Sequence, residues 1–429
     1  MTNSLRDSFI CLCSIGVLAL AGCSSDDETV QTNTNSTDTA GLNSTDVDST
    51  DTTQPFVLGD LTEPFDAPTL EELRDSTEWI EKPVVDVYEL MTDRKENEPA
   101  LLSAGEALAL RNNTPEDNDK IVSGLGTLPV DGEVDYSASW TRHTAGDIKS
   151  TNPLMASSTA EFDVGGLINL SLFSFDWNFT PYANTDTVVS WQTSSDGLMD
   201  MVIMRDDLTW SDGTRITAHD IEYSYQVIMS SAIPIPAVRS GTDQLKGVKA
   251  YDDHTVVFFH NEPLATNVWN TFFPFIPKHK FIDTISDDPT LASSPAHVEL
   301  DLNPVTAGAY TISKRERGQE IILKRRDSYH TVNGEQVRRK PHFETVRFKI
   351  IENPNTALLS MKKGDLEEMM LTPEQWKSQT NDDEFYKFNT KSYALEWVYY
   401  YFGWNFRSPF FKDKRVRQAM GYAFNHQEL

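Results

Sequence analysis

The stretch Ser190–Tyr225 reads SWQTSSDGLMDMVIMRDDLTWSDGTRITAHDIEYSY. Its punctuation is dense. Ser194, Ser195, Asp196 and Gly197 are turn formers, and the run Leu198 to Arg205 that follows is apolar with polar interruptions, which predicts a strand. Ser211, Asp212 and Gly213 close a second turn, where glycine supplies a positive φ at little cost. Thr217 with Asp220 three residues on forms an approximate capping box, and Ile221, Tyr225 and Ile228 then recur at helical spacing. The stretch is therefore a strand–turn–strand–turn–helix unit. It contains no nucleophile–base pair and no metal cluster.

Trp191, Asp196, Gly197, Arg205, Trp210, Asp212, Gly213, Thr217, Ala218 and Asp220 stand in an order that resembles the signature of the family 5 extracellular solute-binding proteins. These are the peptide and oligopeptide receptors of ABC importers. Two further stretches carry the resemblance. In Pro304–Tyr329, Thr306, Gly308 and Tyr310 fit the family's G-[TS]-G-P-Y turn in part, with Ala307 and Ala309 in place of Gly and Pro. A strand pair, Tyr310–Arg315 and Glu320–Arg325, is expected after it, turned at Arg317-Gly318. A strand over Phe343–Ile351 and a helix from Asn355 to Lys363 ended by Gly364 come next, and Glu367 replaces the usual Asp of the family's following step. The third stretch, Trp404–Leu429, closely follows N-x(3)-P-F-x-D-x-R-V-R-x-A. It reads as a strand ending at Asn405, a proline turn and a helix with Val416, Met420 and Phe424 on one face.

Working outward to the N-terminus, Phe9–Leu20 is an apolar run of signal-peptide length, too short to span a bilayer. Leu20-Ala21-Gly22-Cys23 after it resembles a bacterial lipobox, which makes Cys23 the expected lipid attachment site. The alternative is a plain secretory signal with an incidental cysteine. All three cysteines (Cys11, Cys13, Cys23) lie here, so a chain starting at Cys23 has no disulfide partner and no thiolate metal site. Residues 24–54 are a Ser/Thr/Asn/Asp tract too poor in large apolar residues to offset its ordering entropy, and they read as a disordered acidic stalk.

The chain has 429 residues and a net charge of −28, which argues against nucleic-acid binding. The charge is uneven: Ser24–Leu73 holds −12 with no Lys or Arg. Residues 55–129 regain periodicity, with capping boxes at Thr69–Glu72 and Ser103–Glu106 and a helix start at Thr114-Pro115. They read as a helical N-terminal extension outside the resemblance, either a packing pad or an interaction module.

The expected fold is α/β, similar to the type II periplasmic binding proteins. Lobe one is expected from 130–172 and 275–392, with a helix over Phe162–Phe173, and 173–274 form a smaller inserted subdomain. Residues 393–429 are the start of lobe two, whose larger part is missing. The resemblance therefore implies a fragment whose second half follows Leu429.

Chemistry is sparse. No G-x-S-x-G, P-loop, Rossmann fingerprint or CxxC occurs, so nothing points to an enzyme, a cofactor or a metal. Asp206-Asp207 and Asp252-Asp253 read as solvated turn residues, and His254 and His260 as surface or turn histidines. The one suggestive run is Tyr399-Tyr400-Tyr401-Phe402-Gly403-Trp404-Asn405. Strand alternation splits it into two aromatic faces. Either one face is core and the other lines a ligand cleft, or both are buried. The resemblance favours the cleft, making Tyr399, Tyr401, Phe402 and Trp404 ligand-binding candidates. On the same ground Ser157, Ser158 and Thr159, just after the Asn152-Pro153 turn, are a second cleft segment.

The function implied is a lipid-anchored substrate-binding subunit on the outer side of the cytoplasmic membrane, capturing peptides for ABC permease subunits. A non-peptide solute on the same scaffold (a metal chelate, a haem, an oligosaccharide) and a surface interaction protein with no transport role are the alternatives.

Overall fold

The turn chemistry of the 190–225 stretch is realised atom by atom. Ser194 Oγ accepts from the amides of Leu198 and Met199 (3.2 and 2.9 Å) and donates to Asp196, while Gly197 sits at φ 72°. This closes the hairpin of β6 (Val188–Ser194) and β7 (Met199–Met204), with Trp191 opposite Val202. At the second turn Gly213 has φ 86° and Asp212 accepts from the Thr214 amide at 3.1 Å. Asp220 then holds the Thr217 amide at 2.9 Å and the Lys278 amide at 3.0 Å, fixing the start of α4 (Ala218–Ile228). Ile221, Tyr225 and Ile228 are buried as their spacing requires.

β6 and β7 are the middle of a five-stranded antiparallel sheet of order β1-β6-β7-β9-β8, with β1 at Trp79–Glu81, β8 at Leu245–Ala250 and β9 at Thr255–His260. One face, with Val202, Val256 and Phe258, packs under α4 and a small sheet of β2 (Val84–Val85), β5 (Pro181–Asn184) and β4 (Phe173–Phe175). The other face, with Met201, Val257 and Phe259, is covered by Phe65, Leu73 and Trp79 around α1 (Leu70–Ser76). The described part of the N-terminal extension is thus not helical alone. It holds α1, α2 (Val87–Asn97) and two strands, because β6 and β5 each have an edge to fill.

A second sheet has the order β10-β11-β14-β3, built from Tyr310–Glu316, Glu320–Arg325, Thr345–Ile350 and Ser139–Thr144. A short hairpin, β12 (Thr331–Val332) and β13 (Glu335–Gln336), lies between β11 and β14. β14 and β3 run parallel. Trp140, Ile321, Leu323, Val346 and Phe348 face Val164 and Ile168 of α3 (Thr159–Ile168). That helix is shifted from the expected span of 162–173. The Ser158–Glu161 capping box starts it earlier, and the Ile168 carbonyl is taken by the amides of Ala307 and Gly308 (3.0 and 2.7 Å), which stops it. Leu172 is buried beside β4 instead. The remaining helices of note are α5 (Pro295–Leu302), α6 (Pro354–Lys363, closed by Gly364 in the left-handed region) and α7 (Lys414–Ala423).

The computed structural model describes residues 56–97, 133–176, 178–380, 382–386, 388–389 and 403–425. The chain up to Tyr393 forms one unit and the chain from Ala394 a second. In the second unit Asp413 caps α7 and pairs with Arg415 at 2.7 Å, and Trp404 stacks on Phe411 with centroids 4.8 Å apart. Trp404 and Asn405 lie outside any strand. The signal segment with Cys23, the stalk, the helices at 103 and 114, and Tyr399, Tyr401 and Phe402 lie outside the described residues.

Two readings of polar residues are corrected. His260 is not a surface residue. It is 3% exposed, and its Nε2 lies 2.8 Å from Asp200, whose carboxylate also accepts from Trp191 Nε1 at 2.8 Å. Asp207 is not a solvated turn residue either: it lies between Arg205 and Arg338. A carboxylate largely removed from water, like those of Asp200 and Asp207, needs such partners.

Candidate functional site

In open α/β sheets ligands bind outside the carboxyl ends of parallel strands, where helices begin. Here β3 and β14 end side by side, at Thr144 and Ile350. Residues 366–368 add a third parallel segment on the far side of β3: Glu367 N donates to Thr141 O and His143 N to Glu368 O, both at 2.9 Å. Beyond these ends lie the loops 145–157, 351–353 and 369–372. The turn of the β10–β11 hairpin joins them, since Gly318 N donates to Asp147 and Ile350 N to Gln319 O (2.9 and 2.8 Å). α3 and α6 both start at this edge, and the α6 cap, Asn353, accepts from the amides of Asn355 and Thr356. The rim is therefore made of fixed loops.

Two carboxylates do most of the fixing. Asp301 accepts from Ser150 Oγ and Thr151 N (2.6 and 2.7 Å) and faces Arg315 at 3.5 Å. Glu161, 5% exposed, accepts from the amides of Lys149, Ser157 and Ser158 (2.8, 2.7 and 2.9 Å). Burial raises the Glu161 pKa, but these amide bonds outweigh it and hold the carboxyl below the usual glutamate range.

This decides what the 157–159 segment offers. The amides of Ser157 and Ser158 and the Ser158 hydroxyl are spent on Glu161, so the start of α3 is closed to an anionic ligand. Ser157 and Thr159 are exposed, and their hydroxyls are the groups a ligand can reach. Trp404 belongs to the second unit. Glu161→Gln is expected to cost about 1–3 kcal/mol, because an amide nitrogen then faces backbone donors. The folded pKa is lowered, so the carboxylate's contribution is present above the unfolded value and lost as pH falls through the folded one. The variant should therefore show a shallower loss of stability below about pH 4.5. Urea unfolding at pH 7 and pH 3 checks both effects.

Sequence reasoning missed a partly buried charge cluster under the rim. Arg142 pairs with Glu368 at 2.9 Å and lies over Trp140 and Phe348, 4.6 and 5.3 Å from the ring centres. Burial pushes the nearby Asp163 carboxyl up, against the pull of Arg142. Glu368 is 226 positions from Arg142, so no local pattern signals the pair. Among the described residues no group of three or more His, Cys, Asp or Glu side chains is set to hold a metal ion, and no helix is long and apolar enough to cross a membrane. The rim offers hydroxyls, loop backbone and mixed charges, which suits hydrogen bonding to a polar solute.

Comparison with known proteins gives the family and the fold. The model of the bacterial extracellular solute-binding proteins, family 5 (middle region), matches residues 185–429. The oligopeptide-binding protein AppA of Bacillus subtilis is 25% identical over 244 residues, covering 54% of this chain and 40% of AppA. The uncharacterized protein YejA of Escherichia coli is 26% identical over 227 residues, covering 50% and 35%. The solved structure of AppA with a nonapeptide superposes with a TM-score of 0.54 at 23% identity, over 69% of this chain and 55% of that one. MoaA of A. tumefacien R10, in complex with mannopinic acid, gives 0.53 at 20%, over 68% and 56%. The two superpositions show a shared α/β fold of the type II periplasmic-binding kind. The chain spans about half the length of those solved structures and less of the curated relatives it matches. The family comprises solute-binding proteins rather than enzymes, and its model runs through the 190–225 unit, the turn at Gly308 and the helix after Asp413. This chain belongs to the bacterial extracellular solute-binding proteins, family 5.

Proposed function

We propose that this chain is part of a lipid-anchored substrate-binding subunit of an ABC importer, capturing peptides outside the cytoplasmic membrane. The family match over residues 185–429 carries the reading. The exposed Ser157 and Thr159, beyond the carboxyl ends of β3 and β14, are the hydroxyls we assign to ligand contact. Tyr399, Tyr401, Phe402 and Trp404 are further ligand-binding candidates, since aromatic side chains give rigid contact area to an extended peptide. AppA, bound to a nonapeptide, favours a peptide ligand. MoaA, with an equally similar fold and mannopinic acid bound, favours a second reading in which the solute is a non-peptide. Titrating the complete protein with a peptide library by calorimetry separates them. Saturable heats with peptides support the first reading. Silence with peptides and response to sugar acids or metal chelates supports the second.

The anchor is tested separately. Cys23→Ala is expected to move the protein from the membrane fraction to the soluble envelope fraction. One acyl chain anchors only marginally, so stable attachment at Cys23 implies more than one. An unchanged membrane fraction in the variant sinks the anchor.

A further inference from the structure

Residues 56–85 lie before the family-matched range, yet they are built into the inserted subdomain from end to end. Gly59 N donates to Gln226 O in the last turn of α4 and Leu61 N to Met229 O at its C-cap (3.0 and 2.9 Å), and Asp60 accepts from the Ser231 amide at 2.7 Å. Phe65 packs edge-on against Phe259 with centroids 4.8 Å apart, above Gly247, where any Cβ would come within 2.8 Å of the ring. Leu73 is 3% exposed, and Tyr251 donates to Pro68 O at 2.7 Å. β1 then completes the edge of β6, and β2 runs parallel to β5, with Ala183 N donating to Pro83 O at 2.9 Å. Finally Asp86 faces Arg339 at 3.6 Å and that guanidinium lies 4.0 Å over Tyr88, which ties the strap to the chain beside the four-stranded sheet.

Edge pairing, a buried apolar anchor and terminal ion pairing are the elements by which a sheet captures a separate extended peptide. We propose that residues 56–85 are a non-covalent grip. The rest of the molecule holds its own N-terminal segment as a peptide-recognition surface would, so the body stays attached to the N-terminus even when the chain is cut between residues 98 and 132. The consequence for anchoring rests on lipidation of Cys23: a protease acting in 98–132 would not release the receptor from the membrane, whereas loss of Phe65 or Leu73 would make the same cut releasing.

The test uses the full chain with a protease recognition sequence placed within 98–132 and cut after folding. In the soluble Cys23→Ala background the two pieces are expected to co-elute on size exclusion. With Phe65→Ala and Leu73→Ala together, the co-eluting fraction should fall by at least ~10-fold. Separation of the nicked chain carrying native Phe65 and Leu73 overturns the grip, whatever the double variant does. Co-elution of the nicked double variant, shown to be folded before cutting, overturns the assignment of Phe65 and Leu73. In membranes the nicked Cys23 protein should keep its body in the pellet. If the uncut Cys23 protein is already soluble, the anchor reading fails while the co-elution result still decides the grip.

Discussion

Gly308→Ala is expected to destabilise the protein by about 3 kcal/mol or more, at the upper end of the cost of forcing atoms into a packed interior. The reason is space. A Cβ on Gly308 would lie 2.6 Å from Leu167 O, 2.7 Å from Asn169 O and 2.7 Å from Ile168 C. All three are backbone atoms at the end of α3, so no rotamer change relieves the clash. The chain must instead move apart, and two sets of bonds go with it. The amides of Ala307 and Gly308 lose the Ile168 carbonyl. The Arg326 guanidinium, 5% exposed, loses the carbonyls of Thr306 and Gly308, which it holds at 3.0 and 2.9 Å while also bonding Thr209 O at 2.7 Å. Arg326 has no carboxylate within salt-bridge distance among the described residues, and burial lowers its pKa to about 10, so those carbonyls are what keep its charge solvated. Gly247→Ala is the control. Its Cβ would meet the ring of Phe65, a partly buried side chain over the Met201–Val257–Phe259 face of the five-stranded sheet, which can rotate away. Urea unfolding of the two variants should rank Gly308→Ala far below Gly247→Ala. Equal midpoints would show that the α3 end and the 306–308 turn are not rigidly coupled.

Local chemistry made the 190–225 unit, the β10–β11 hairpin and α6 legible, because each is punctuated at both ends. Ser194 with Gly197, Arg317 with Gly318, and Asn353 with Gly364 state where the chain turns or a helix starts and stops. What escaped is whatever depends on partners distant in sequence. β9 illustrates this. All six of its residues, Thr255–His260, are buried, so the period-2 signal that assigns faces is absent, and the sequence reads His260 as a surface or turn histidine. It lies on the face of Val256 and Phe258, where Asp200 and Trp191 enclose it, and those partners could not be read from the pattern of β9 itself. The Arg142–Glu368 pair and the Arg326 cradle are hidden for the same reason. The candidate rim was half legible. The sequence offers 157–159 as a candidate segment, but the use of its amides by Glu161 depends on the Lys149 loop folding back beside it. The start of α3 itself was missed by three residues, although Ser158 and Glu161 carry the capping-box spacing.

Asp207→Ala is expected to cost about 3–5 kcal/mol, the range for removing one partner of a buried ion pair. Asp207 receives Arg205 through two bonds, Nε to Oδ1 at 2.9 Å and Nη2 to Oδ2 at 2.6 Å, and its Oδ1 also receives Nη2 of Arg338. The Arg338 side chain is only 2% exposed. Its remaining donors go to Asp186 O and Tyr329 O (2.6 and 2.7 Å), which are neutral carbonyls. Without Asp207 the guanidinium keeps its burial and loses its counter-charge. Because Arg338 follows the short β12–β13 hairpin and Asp207 follows β7, the cost falls on the joint between the two sheets. The pH dependence gives an independent check. Burial raises the Asp207 pKa, but the hydrogen bond from Arg205 and the field of Arg338 more than reverse this, so the folded value lies below the ordinary 3.8. Between the folded and unfolded values the unfolded state binds more protons, so this group's stabilisation is complete above about pH 4 and disappears as pH falls through the folded value. Neighbouring Asp186 has the opposite sign, since burial pushes its carboxyl up, but it is present in both proteins. The stability difference between wild type and Asp207→Asn, measured by urea unfolding from pH 7 to pH 2.5, should therefore shrink toward acid. A difference that stays constant across that range would mean that the Asp207 charge contributes nothing and that only its shape matters.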